Sequence, residues 1–119
     1  MIPSPHFQIL VREVATRLPV AGRTDDLDIR VNLRLGTSVT GPFTGDPDDI
    51  SMTVDYSKIV RHILGPFRDE GPFTDADAMA QALGRFIFDF DTRILSQKIA
   101  IHSPADPGFT SQIALERPS

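Results

Sequence analysis

The stretch Asp48 to Ile63, DDISMTVDYSKIVRHI, places a phenol where it could move protons. Tyr56 is the only tyrosine in the chain. It opens an amphipathic run, and acids precede it. A phenol donates and accepts through one oxygen, which suits proton transfer. The same residue could instead pack its ring at a helix start and bond a backbone group. Other chemistry is harder to assemble. There is no cysteine, so disulfides, thiolate metal sites and cysteine nucleophiles are excluded. The three histidines, His6, His62 and His102, fall in separate segments with no His-x-His pair. That makes a zinc site improbable. No glycine-rich phosphate loop precedes a helix. Asp46, Asp48 and Asp49 lack the glutamate and the spacing of a calcium loop, so no metal is expected.

The elements that must position Tyr56 follow from periodicity. In LDIRVNLRL, residues Leu27, Ile29, Val31, Leu33 and Leu35 alternate with Asp28, Arg30, Asn32 and Arg34. Strict period two predicts a strand with one dry face. The first half of FQILVREVATRL, Phe7 to Leu18, reads as a strand that pairs with it. GTSVTGPFTGDPDD is a loop by composition. Thr53 or Asp55 could cap the helix that follows, in which Ile59, Val60, Ile63 and Leu64 have helical spacing. The triplet Gly-Pro-Phe recurs at 41–43, 65–67 and 71–73, too unevenly for a repeat. It reads as punctuation. A second helix is expected from about Asp75 to Phe90, with Ala76, Met79, Ala80, Leu83, Phe86, Ile87 and Phe90 on its apolar stripe. KIAIH predicts a short strand, SPADPGFTS a turn-rich loop, and QIALER a last strand.

The expected order is β-β-α-α-β-β: an α+β fold, with a four-stranded antiparallel sheet covered by two helices. The 119 residues suit one domain spanning 1–119. Such a sheet has two open edges, which invite pairing with further copies. Closing a ring from several subunits removes them, so a homo-oligomer is expected. The charge, 12 basic against 16 acidic residues, argues against a nucleic-acid partner. No apolar run is long enough to span a bilayer, and the N-terminal residues lack the features of a secretory signal. A soluble, cytoplasmic protein is the expectation.

The order of elements, together with DD-I-S-x-T-V-D-Y-S-K-I, resembles dihydroneopterin aldolase. The similarity is close from Asp48 to Ile59. It continues through FTDADAMAQALG and KIAIHSPADPGFTSQIALER, covering most of residues 27–117. It implies the tunnelling fold, an oligomeric barrel (tetramer or octamer) with sites between neighbouring subunits. The implied activity is retro-aldol cleavage, or epimerisation, of the side chain of a reduced pterin, in folate biosynthesis and without a cofactor. The alternative is a ring protein that keeps the pocket without turnover.

On this resemblance Tyr56 serves in proton transfer, and Asp77 stands where the family's glutamate anchors the pterin. A carboxylate there accepts two parallel hydrogen bonds from the ring's amino-amide edge. Thr74-x-x-Asp77 also has the form of a capping box, so the carboxylate could serve the helix instead. Val54, Asp55, Ala76 and Pro104 are expected beside the substrate. The sequence departs from the family in two places. Ser103 replaces a catalytic lysine, and a serine hydroxyl is a weak base unless a neighbour activates it. Lys98 is five positions upstream, roughly 16 Å along an extended strand. His102 titrates near neutrality and could take over if the strand ends or bulges there; otherwise it is a solvent-facing strand residue. The second departure is the first hairpin. It lacks the family's pocket glutamate, since Glu13 comes too early and Asp25 and Asp26 too late.

Overall fold

The computed structural model describes residues 6–38 and 55–118. Strands β1 (His6–Leu18) and β2 (Leu27–Ser38) are followed by helix α1 (Tyr56–Leu64) and a 3-10 turn (Pro66–Glu70). Helix α2 (Ala76–Phe90) and strands β3 (Ile94–Ser103) and β4 (Asp106–Glu116) complete the order. The four strands form one antiparallel sheet in the order β1-β2-β3-β4. α1 packs on β1, and α2 packs on β3 and β4. The alternation in β2 works as expected: Ile29, Val31 and Leu35 are fully buried under the helices. Each such side chain contributes about 1.5–3 kcal/mol on leaving water. No helix among the described residues is long and apolar enough to cross a membrane.

Three strand boundaries differ from the expectation, and each has a local cause. β1 runs the full length of its segment, because a bulge between Val11 and Val14 resets the alternation. Glu13 adopts φ 52° there, and its N–H donates to Asn32 Oδ1 at 2.9 Å. The bulge lets Val11 and Val14, three residues apart, both face the core. β3 begins earlier than KIAIH because Ile94 is a core residue and Gln97 is also taken inside. Its Nε2 donates to Gly84 O at 2.9 Å. β4 begins inside the expected loop. Only Pro104 and Ala105 form the turn, and the register then slips so that Ser103 pairs with Asp106 but His102 with Thr110.

Both helices are capped by aspartate. The Asp55 carboxylate accepts from Ser57 N at 3.1 Å. Thr53, the other candidate cap, lies outside the described residues. For α2 the cap is Asp75, which accepts from Ala78 N at 2.7 Å. The Thr74–Asp77 capping box, one of two readings of these residues, does not form: the helix starts one residue later, and Asp77 falls inside its first turn. Ile59 and Ile63 of α1, and Met79, Ala80, Leu83 and Ile87 of α2, are fully buried. The Gly-Pro-Phe triplets at 65–67 and 71–73 are more than punctuation. Phe67 and Phe73 are buried with ring centroids 4.9 Å apart, and Phe73 bridges Val20.

Candidate functional site

Capping by Asp75 leaves the carboxylate of Asp77 with no duty to the helix backbone. Asp77 is exposed on the first turn of α2, where the positive end of the helix dipole favours an anion. Ser111 on β4 donates a hydrogen bond to it at 3.3 Å. Ala76, beside it, is turned into the core. A carboxylate in this position can accept a pair of parallel N–H donors from a planar ring.

Tyr56 stands at the first position of α1, held there by the Asp55 cap. It is 53% exposed and has no hydrogen-bond partner among the described residues. The Ser57 hydroxyl donates to Asp55, and this bond is the main reason the Asp55 carboxyl lies below its usual pKa, with Lys58 and Arg61 adding to it. The Asp55 carboxylate is thus engaged by Ser57, the residue after Tyr56 in the chain. Val54 lies outside the described residues.

The β3–β4 turn holds the other candidates. Ser103 is buried, and its Oγ accepts from Ala105 N at 3.2 Å, closing the turn over exposed Pro104. His102 faces the other way. It pairs with Arg30 and Thr110, is partly exposed on the helix-free face, and has Glu13 Oε2 at 3.9 Å from its Nε2. The register slip beside it does not bring its ring to the helix side, where Ser103 and Asp77 lie.

The structure brings Asp77 and Ser111 together and leaves Tyr56 apart. α1 rests on the edge strand β1, whereas Asp77 rests against the opposite edge strand β4. Three inter-strand steps separate these edges, roughly 14 Å. Ser111 was not foreseen from sequence. Its contact depends on β4 starting early enough to carry position 111 past the first turn of α2, and the loop-like composition of SPADPGFTS hid that. Among the described residues no group of three or more His, Cys, Asp or Glu is placed to hold a metal ion.

The fold is that of the dihydroneopterin aldolases, the tunnelling fold. A dihydroneopterin aldolase from Burkholderia thailendensis bound to guanine aligns with a TM-score of 0.68 at 15% identity, over 94% of this chain and 90% of that one. The E. coli dihydroneopterin aldolase in complex with neopterin aligns with a TM-score of 0.67 at 11% identity, over 94% of this chain and 99% of that one. No protein-family model and no curated protein sequence matches the chain. The likeness drawn from sequence therefore holds in the fold, at identities as low as 11% and 15%.

Proposed function

We propose that the chain, acting as one domain, is a dihydroneopterin aldolase-type protein of the cytoplasm. It binds a reduced pterin and cleaves its side chain by general acid–base chemistry. The observation that carries the reading is Asp77: an exposed carboxylate on the first turn of α2, released from capping and supported by Ser111. It stands where the sequence resemblance puts the pterin anchor. Guanine and neopterin, the ligands of the two structural neighbours, both carry an amino-amide edge that a carboxylate can accept from.

The separation of Tyr56 from Asp77 fits a site completed between copies. If the β1 edge of one subunit joins the β4 edge of the next, the Tyr56 of one approaches the Asp77 of its neighbour. In the proposed reaction a proton leaves the side-chain hydroxyl of the substrate. The bond to the two-carbon fragment breaks, its electron pair passes to the imine of the pterin ring, and glycolaldehyde departs. A proton returned to carbon gives hydroxymethyl-dihydropterin. Tyr56 is the proposed proton carrier at the reacting carbon. Asp55 and Pro104, both exposed, are the further residues proposed beside the bound pterin, whereas Ala76 is turned into the core.

A second reading is supported by Ser103. Its hydroxyl is buried and engaged by Ala105 N, so it offers no free base in place of lysine. On that reading the chain binds a pterin without turnover. One experiment separates the two. Purified protein is incubated with dihydroneopterin and assayed for glycolaldehyde and hydroxymethyl-dihydropterin, with binding followed in parallel by calorimetry. Turnover supports the aldolase, and binding without turnover supports the second reading. If the protein does neither, the pterin assignment is wrong.

A further inference from the structure

The helix-free face of the sheet carries a trough of about 490 Å³ that the pterin reading does not use. Its floor is made low by Ala100 and Ala114, and Asn32 and Gln112 also line it. Three exposed cations, Arg12, Arg34 and Lys98, stand around this floor. Arg34 and Lys98 are direct cross-strand partners in the β2–β3 register. Like charges placed directly opposite one another destabilise a sheet. The net charge of the chain is −4, so carboxylates are in excess, yet Arg12, Arg34 and Lys98 form no ion pair among the described residues. Elsewhere Arg23, Arg30, Arg68 and Arg93 are each matched to an aspartate. The nearest acids sit at the margins. Glu116 lines a small adjoining hollow with Arg34 and Lys98 without pairing to either, and Glu13 is turned toward His102. Asn32 Oδ1 is already occupied by Glu13 N, which leaves its amide N–H groups as donors. The polar side chains around the trough are therefore mainly donors and cations, set beside the exposed apolar Leu10.

We propose that this trough binds a polyphosphate chain, either inorganic or the phosphate tail of a nucleotide. The paired Arg34 and Lys98 converge on one phosphate group, and Arg12 meets a second further along. The guanidinium fork suits phosphate oxygens. The bound anion relieves the repulsion that the empty register imposes. The volume lies in the range of small-molecule sites, about 300–1,000 Å³.

The test titrates inorganic tripolyphosphate into the full chain by calorimetry, with sodium chloride matching the ionic strength in the reference titration. The wild-type protein is expected to bind. Arg34→Gln and Lys98→Gln should each weaken binding by about tenfold, the scale of one charge-assisted hydrogen bond. Arg85→Gln, on the exposed side of α2, should leave it unchanged. Without ligand, Arg34→Gln should melt higher than wild type, which confirms that the variant folds and that the opposed pair carries a cost. Equal binding of tripolyphosphate and ATP supports recognition of the phosphate chain. Three results would overturn the proposal. They are heat no greater than in the matched-salt reference, equal weakening by Arg85→Gln, and binding of ATP or poly-glutamate through Arg34 and Lys98 while tripolyphosphate fails to bind.

Discussion

Ser111 and Asp77 are 34 residues apart in the chain, and the Ser111 hydroxyl donates to the Asp77 carboxylate at 3.3 Å. The bond fastens the first turn of α2 to an edge strand while leaving the rest of the carboxylate open to solvent. Asp75, two residues earlier, does the capping. The two acids should therefore respond differently to truncation. Asp75→Ala should cost about 1 kcal/mol of stability as a lost N-cap. Asp77→Ala should cost less, within the few tenths to 1 kcal/mol of a helix-dipole interaction. In ligand binding the order should reverse: Asp77→Ala should weaken pterin affinity by about tenfold to a hundredfold, with Asp75→Ala close to wild type. Urea denaturation and calorimetry with neopterin measure both sides. A melt for Asp77→Ala as low as that of Asp75→Ala would return Asp77 to a structural role.

Tyr56 is more than half exposed, so Tyr56→Phe should change stability by no more than about 0.5 kcal/mol. Removing a general acid–base group typically lowers turnover by about 10²–10⁴-fold. The expected result with dihydroneopterin is a fall of that size in kcat with little change in KM. Steady-state kinetics on the phenylalanine variant checks it, and full activity would remove the phenol from the reaction.

Arg117 fastens the C-terminal end of α2. Its Nη2 donates to Phe88 O and Asp91 O at 2.8 and 3.0 Å, and its Nε to Ile94 O at 2.8 Å. Its guanidinium lies over the Phe88 ring, 4.7 Å from the centroid. The side chain thus satisfies carbonyls at the C-terminal end of α2, where a cation is also favoured by the dipole. Arg117→Ala should destabilise the protein by roughly 2–3 kcal/mol, the range for hydrogen bonds from a charged donor. Arg117→Lys should recover only part of this, since an ammonium cannot reach three acceptors in a planar fork. Guanidinium melts of the two variants give the comparison.

Asp91 predicts the acid limb of stability. Its carboxyl is held below the usual aspartate pKa, first by the Arg93 side chain, which donates to it at 3.1 and 2.7 Å, and further by the Arg93 backbone N–H and the charge of Arg117. Asp55 is shifted the same way, chiefly by the Ser57 hydroxyl. A depressed folded pKa means that the unfolded chain takes up the proton first. The stabilisation is therefore fully present above the ordinary aspartate value of about 3.9 and is lost as pH falls through the lower folded value. Asp91→Asn should lower stability at neutral pH and flatten the decline below about pH 4. Denaturation midpoints measured at stepped pH values test the sign. An unchanged acid limb would show that Asp91 is not one of its sources.

The sequence alone determined the order and type of the elements. β2 was legible because strict alternation leaves a half-buried strand no other reading. α1 and α2 were legible because Ile59 and Ile63, and Met79, Leu83 and Ile87, recur at the spacing of one helix face. What tertiary structure decided was the placement of breaks and contacts. The bulge at Glu13 depends on the side chain of Asn32, which lies on another strand. The early start of β4 depends on pairing with β3, which overrides the turn-forming composition of Asp106-Pro107-Gly108. The freedom of Asp77 depends on whether Thr74 or Asp75 captures the helix amides, and both residue types can cap. Above all, the sequence placed Tyr56 and Asp77 on neighbouring helices, and only the sheet order sent them to opposite edges. Local pattern reports which face of an element is dry. It carries no information about which edge an element will occupy, because that is fixed by pairings between residues far apart in the chain.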